Sequence, residues 1–243
     1  MKQNKYDDQA FFEKYSQMNR SVHGLAGAGE WESLRRMMPD MNGKRVLDLG
    51  CGFGWHCQYA IGQGAVSVTG VDLSEKMLRR AKEQTDPRIA YIQESIEEVA
   101  FADRSFDLII SSLALHYVES FGAIVEKLAR WLVPGGELVF TVEHPVFTAS
   151  GAQDWHYDED GRIMHFPVDR YFSEGQRSTV FLGEQVVKVH RTLTTYLNGL
   201  LQGGFAVTGV VEPTPSEELL RTVEGMENEL RRPMMLIISA RKQ

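Results

Sequence analysis

Between residues 44 and 143 the chain alternates short apolar runs with amphipathic stretches of helical spacing, and this rhythm constrains the fold more than anything else in it. The apolar runs are RVLDLG (45–50), VSVTGVD (66–72), IAYIQ (89–93), FDLIIS (106–111) and GELVFTVE (136–143). Helices are expected between them over 54–63, 74–84 and 120–132. Ser74 is a good N-cap for the second of these, ahead of Met77, Leu78 and Ala81 on one face. Strands that alternate with helices imply parallel βαβ units, with helices on both faces of one sheet. Four of the five runs are almost unbroken in apolar character, as strands covered on both sides require.

The flanks differ. Residues 7–38 are polar with helical spacing in AFFEKY and EWESLRRMM, and Pro39 ends the second run. Residues 144–190 lose the rhythm and gather His144, Phe147, Trp155, His156, Tyr157, His165, Phe166, Tyr171, Phe172 and Phe181. A segment this long between regular elements is more often a functional cover than a passive loop. Order returns with a helix at 192–203, a strand at 205–212, a charged helix at 216–229 and a last strand at 234–242, punctuated by Pro213, Pro215 and Pro233. No repeat or low-complexity linker divides the chain, so 1–243 reads as a single domain. Within it, 1–39 is an N-terminal helical cover, 40–143 the core, 144–190 an inserted lid and 191–243 the closing helices and strands.

The net charge of −7 disfavours a nucleic-acid partner, because binding phosphates calls for a basic face. The pairs Arg35–Arg36 and Arg79–Arg80 suit solvated helix faces. Two cysteines, Cys51 and Cys57, supply neither a disulfide framework nor a four-ligand zinc site, and no metal site is expected. No apolar stretch has signal-peptide or membrane-spanning length, so a cytoplasmic location is the expectation, as monomer or homodimer.

The chemistry concentrates at 46–54, VLDLGCGFG, where a strand runs into Gly50, Gly52 and Gly54 and then a helix. Glycines let the chain turn tightly and let a ligand approach the backbone, and the helix start offers unpaired N–H groups. The dinucleotide fingerprint differs: its third glycine comes one residue later, where this chain has Trp55, and a bulky indole obstructs the close helix–strand packing of that motif. Asp48, two residues before the turn, opposes a pyrophosphate but suits a cationic ligand such as a sulfonium carrying an amino group. Asp72 ends the second strand, placed to accept hydrogen bonds from two ribose hydroxyls. Together these ask for a positively charged nucleoside without pyrophosphate.

VLDLGCGFG, GVDLSEKML (70–78), SFDLIISSLALHY (105–117) and LVPGGELVFT (132–141) resemble, in order and spacing, the consecutive motifs of class I S-adenosylmethionine-dependent methyltransferases. The likeness is greatest to the small-molecule branch of ubiquinone- and sterol-type enzymes. It implies a Rossmann-like α/β three-layer sandwich whose seven-stranded, mostly parallel sheet has the order 3-2-1-4-5-7-6 with the last strand antiparallel. It also implies S-adenosylmethionine as cofactor, with S-adenosylhomocysteine as product, and a small-molecule acceptor. By that resemblance Gly50, Cys51 and Gly52 line the methionine part, and Asp48 helps hold its amino group through the turn or a water. Asp72 binds the ribose, and Leu73 with Met77 lies at the adenine. Ser95 and Ile96 stand where the family has an Asp and an apolar residue; here Ser replaces the Asp. Leu113 meets the cofactor through its backbone, and Tyr15 either closes over it or packs on the sheet.

Methyl transfer is an in-line displacement, so alignment and exclusion of water matter most, and a base is needed only where the acceptor carries a proton. Candidates for that role are His116, Glu143 and His144, at the ends of the fourth and fifth strands, with His190 and Arg191 as further wall residues. The lid aromatics form either a satellite core or an aromatic-walled acceptor pocket. Two alternatives compete: a non-catalytic module binding S-adenosylmethionine or S-adenosylhomocysteine, and a nicotinamide-dependent oxidoreductase, which Trp55 and Asp48 disfavour. The chain also lacks the Asp/Asn-Pro-Pro-aromatic motif of DNA amino-methyltransferases.

Overall fold

The computed structural model describes residues 4–83 and 86–243, so residue 84, the last of the helix expected over 74–84, lies outside the described residues. Three short helices come first: α1 (Gln9–Ser16), α2 (Asn19–Val22) and α3 (Trp31–Met37). The alternating region follows as β1 (Arg45–Leu49), α4 (Trp55–Gly62), β2 (Ser67–Asp72), α5 (Glu75–Lys82), β3 (Ile89–Gln93), β4 (Phe106–Ser112), α6 (Phe121–Trp131) and β5 (Leu132–Glu143). Then come α7 (Pro145–Ala149) and two hairpins, β6 (His156–Tyr157) with β7 (Ile163–His165) and β8 (Gly175–Phe181) with β9 (Glu184–His190). The chain closes with α8 (Leu193–Gln202), β10 (Phe205–Val211), α9 (Glu217–Thr222) and β11 (Met235–Lys242).

Seven strands form one sheet in the order β3-β2-β1-β4-β5-β11-β10. The first five are parallel, and β11 runs antiparallel to both β5 and β10. With the hairpins set aside this is the order 3-2-1-4-5-7-6, a Rossmann-like sandwich. Side-chain alternation along each strand divides the core in two. Leu47, Leu49, Ile109, Leu138 and Phe140 pack with α6 and α8 on one face, whereas Val46, Leu108, Ile110 and Val139 pack with α3 and α4 on the other. Helix α6 shows the cause: Phe121, Ile124, Val125, Leu128 and Trp131 fall at three- and four-residue spacing and all are buried. Each such side chain contributes about 1.5–3 kcal/mol of transfer free energy.

The capping expectation at Ser74 holds, since its Oγ accepts from Met77 N at 3.1 Å. Asp7 adds a second cap from outside, accepting from the Ser74 hydroxyl at 2.5 Å and from Lys76 N at 3.1 Å. An anion at a helix N-terminus is favourable, so the N-terminal segment is pinned to α5. The same segment ties to the second hairpin through Lys14 Nζ to the Leu182 carbonyl (2.9 Å), Lys5–Glu184 (3.3 Å) and the Phe11–Phe181 ring contact.

Two boundaries differ from expectation. Strand β5 begins at Leu132, through Pro134 and Gly135, and pairs Leu132 with Phe106 before its register shifts. The helix expected over 216–229 stops at Thr222, where Val223 turns extended (φ −113°, ψ 115°), and after Gly225, in a left-handed φ of 77°, only a 3-10 turn, Met226–Arg231, follows. Among the described residues no helix is long and apolar enough to cross a membrane.

Candidate functional site

The C-terminal ends of β1, β2, β4 and β5 open into one cavity of about 860 Å³, at the sheet edge where open α/β folds bind ligands. The N-terminal segment and the β8–β9 hairpin roof it: Tyr6, Phe11, Tyr15, Met18 and Arg20 on one side, Gln176, Phe181 and Val186 to Val189 on the other.

Its floor is the glycine turn. Gly50 has φ +76°, and a Cβ there would stand 2.3 Å from the Ala114 Cβ, so only glycine lets the β1 and β4 turns come together. Gly52 has φ +51° with nothing within 4 Å of a would-be Cβ, and it borders the cavity, so the absent side chain leaves backbone bare to a ligand. The Asp72 carboxylate locks this turn, accepting from Gly52 N (2.8 Å) and Ser74 N (2.9 Å). Each of its oxygens retains a lone pair for a further donor. Burial raises the Asp72 carboxyl, and these backbone N–H groups counter it.

Behind the turn, Asp48 is 1% exposed and faces α4 rather than the cavity. The Cys57 thiol donates to its Oδ2 at 3.3 Å, while Oδ1 is buried with no partner among the described residues. Burial pushes this carboxyl up to about 7. An orphaned buried acceptor beneath a glycine turn matches the needs of an ammonium held through the turn or a water. Cys51 lines the cavity, but burial raises its thiol to about 11, which makes it a wall and no nucleophile.

Leu73, Met77, Ser95 and Ile96 line the end of the cavity beside Asp72. Ser95 Oγ caps a turn, accepting from Glu98 N at 3.2 Å. Leu113 borders the same space with a φ of 53°, unusual for a branched residue, and its N–H is held by both oxygens of Thr141 at 3.0 Å. Tyr15 lines the cavity as well, edge-on to Tyr6 and Phe53. Opposite stand Trp55 and His56 at the start of α4, with Arg20. His56 is held neutral, its imidazole lowered to about 4 by burial and then by Arg20. Arg20 pairs through one terminal nitrogen with Glu30, which is 2% exposed.

The other end is polar. Glu143, closing β5, takes Lys188 Nζ on Oε1 at 2.5 Å and Gln153 Nε2 on Oε2 at 2.7 Å. Lys188 also donates to Gln153 Oε1 at 3.0 Å. Burial raises the Glu143 carboxyl, but His116, Lys188 and Gln153 outweigh it and hold it below its usual range. His116 Nδ1 sits 3.4 Å from Glu143 N, and the ring is lowered to about 4, by burial first and then by Lys188 and Arg191 against Glu143. Tyr117 lies tilted against it, ring centroids 4.5 Å apart, and is raised by burial.

Of the candidates that the sequence singles out, His116 and Glu143 meet at this end, and Tyr15, Gly50, Cys51, Gly52, Asp72, Leu73, Met77, Ser95, Ile96 and Leu113 border the same cavity. Asp48 stands behind its floor. His144 lies outside: its Nδ1 accepts from Val146 N to cap α7 and its Nε2 lies 2.8 Å from Glu212. His190 is held by Thr148 and the Tyr171 carbonyl, and Arg191 by the carbonyls of Leu115, Val118 and Glu119, so neither borders the cavity. The lid aromatics Phe147, Trp155 and Phe166 cluster around Arg232, 4.7–5.2 Å from the ring centroids, as a satellite core. Of that lid group only Phe181 joins the cavity wall. Sequence reading missed Tyr6, Arg20 and Lys188. Only Lys188 left a signal, because Val186, Lys188 and His190 share the buried face of an alternating strand.

Comparison with known proteins agrees with this geometry. Residues 47–140 match the family model described as a methyltransferase domain. A Listeria monocytogenes crystal structure assigned as an S-adenosylmethionine dependent methyltransferase is 53% identical, covering 90% of this chain and 99% of that one, with a TM-score of 0.86. The S-adenosylmethionine dependent methyltransferase from Mesorhizobium loti is 45% identical over 90% of this chain and 100% of its own, with a TM-score of 0.84. A malonyl-[acyl-carrier protein] O-methyltransferase of Erwinia pyrifoliae is 42% identical over 41% of this chain, a match that spans only 37% of that protein's length.

Proposed function

Because the chain belongs to the S-adenosylmethionine-dependent methyltransferases, we propose that it transfers a methyl group to an oxygen of a small-molecule acceptor bound at the Glu143–Lys188 end of its cavity. Bound in the other end, the cofactor supplies a methyl group made electrophilic by its sulfonium. Asp72 would accept from the ribose hydroxyls, the backbone from Gly50 to Gly52 would support the methionyl portion, and Leu73, Met77, Ser95 and Ile96 would surround the adenine. Arg20, beside the start of α4, would meet the methionyl carboxylate, and Asp48 would balance the amino group from behind the turn.

The observation that carries this reading is one continuous cavity joining the Asp72 turn to a buried polar cluster, roofed by α1 and the β8–β9 hairpin. Such a site aligns two reactants and excludes water, and alignment of this kind is worth roughly 7–11 kcal/mol of barrier. An oxygen acceptor is supported by the Erwinia pyrifoliae relative, whose name states O-methylation.

Calorimetry with S-adenosylmethionine and S-adenosylhomocysteine tests the cofactor half. Both are expected to bind, and Asp72→Ala to weaken binding about tenfold or more, since hydrogen bonds to a charged group are worth ~1.5–3 kcal/mol each. Absence of binding of either compound to the folded protein refutes the site.

A further inference from the structure

We propose that the acceptor offers an ionised oxygen, a carboxylate or a phenolate, to Lys188 Nζ and His116 Nε2, and is methylated on that oxygen without a protein base. The inference rests on the methyltransferase reading of the same cavity and adds the chemical class of what fills its second half.

Of the groups that line this end, Lys188 and His116 offer donors, and Glu143 is an acceptor bridged to Lys188. Nitrogen Nδ1 of His116 receives the Glu143 backbone N–H, so it carries no proton, and the ring's single proton sits on Nε2. Burial keeps that imidazole neutral. A cavity-lining His116 therefore presents an N–H, whereas a general base would have to present a lone pair. Lys188 has three N–H bonds; Glu143 Oε1 and Gln153 Oε1 take two, and the residue borders the cavity although it is only 3% exposed. The hydroxyls of Tyr6 and Tyr117, raised by burial, stay protonated.

The Glu143 carboxylate is poorly suited to the part of base, because the Lys188 ammonium on one oxygen and the Gln153 amide on the other stabilise its charged form. Glu143 and Lys188 cancel in charge. A cationic amine would enter beside both the sulfonium and the Lys188 ammonium, while an oxyanion neutralises the sulfonium and finds two donors. In the transfer, an oxygen lone pair forms the new O–CH₃ bond as the carbon–sulfur pair stays on sulfur. The products are a neutral ester or ether and a neutral thioether, and no proton moves.

The test uses the full chain saturated with S-adenosylhomocysteine, that binding being verified first by calorimetry. Ligand-observed NMR titrations then compare benzoate, 4-nitrophenolate, benzamide and benzylamine. At least one of the two anions is expected to bind about tenfold or more tighter than benzamide and benzylamine, and Lys188→Gln to erase that preference while S-adenosylhomocysteine affinity is kept. Benzoate ahead of 4-nitrophenolate identifies a carboxylate acceptor, and the reverse a phenolate. Preference for benzylamine, equal binding of all four, no probe binding at all, or an anion preference that survives in Lys188→Gln each overturns the proposal. The wild-type comparison stands without any variant, so a poorly folded Lys188→Gln does not protect the idea. Failure to bind S-adenosylhomocysteine would instead remove the cofactor reading beneath it.

Discussion

Arg20 offers the sharpest quantitative check on how the cofactor lies in the cavity. One terminal nitrogen of its guanidinium is committed to Glu30, and the side chain is 22% exposed along the cavity wall near Trp55 and His56. If the remaining N–H groups meet the methionyl carboxylate, that contact is a charge-assisted hydrogen bond worth ~1.5–3 kcal/mol. Partial exposure places it in the lower half of that range, roughly 10- to 40-fold in Kd. The clean perturbation is a double difference: affinities of S-adenosylhomocysteine and its decarboxylated analogue, measured by calorimetry in the wild type and in Arg20→Gln/Glu30→Gln. The double variant is needed because Glu30 is 2% exposed. Removing its partner alone would leave a buried charge at a cost of about 3–5 kcal/mol. Wild-type protein is expected to prefer the carboxylated ligand by about tenfold or more, and the double variant to lose most of that preference. Arg20→Lys should fall between, keeping the charge but not the fork. General damage to the fold weakens both ligands and cancels in the ratio. An unchanged ratio in the double variant would refute the placement.

Two further outcomes follow from buried groups. The Asp48 carboxyl, ordinarily at 3.8, is pushed up to about 7 by burial, so the folded state holds its proton more tightly than the unfolded chain. The stability this contributes is complete below the unfolded value and lost as pH rises through 7, a change on the order of 4 kcal/mol. Asp48→Asn removes that loss, so urea denaturation should show its stability relative to wild type improving by a few kcal/mol from pH ~4 to pH ~8; a pH-independent difference contradicts it. His144 caps α7 outside the cavity, so His144→Ala should cost about 1 kcal/mol in denaturation and leave S-adenosylhomocysteine affinity unchanged. A marked loss of affinity with stability intact would place its imidazole at the site.

The glycine-turn end of the cavity was legible in the sequence because it is local. Gly50, Gly52, Asp72 and Leu73 occupy the ends of adjacent parallel strands, where strand spacing and turn chemistry dictate position, and the four ordered motifs span one continuous hundred-residue stretch. Alternation of apolar strands and amphipathic helices likewise determined the sheet and its two covered faces. What local pattern does not carry is which distant side chains meet. His144 follows Glu143 directly, yet the chain turns into α7 there and sends the two side chains to different surroundings, one into the cavity and one to Glu212.

The Glu143–Lys188 end of the cavity was decided by tertiary structure alone. Glu143, Gln153 and Lys188 come from β5, a loop and β9, and only the folding-back of the second hairpin brings a lysine 45 residues away onto a strand-end carboxylate. Arg20 enters the cavity because Asp7 caps α5 and Lys14 holds the hairpin, contacts with partners 67 and 168 residues away in the chain. Spacing along a chain encodes the periodicity of its own strand or helix. Charge pairs across such distances depend on how whole elements dock, and that is settled by the burial of faces rather than by any short motif.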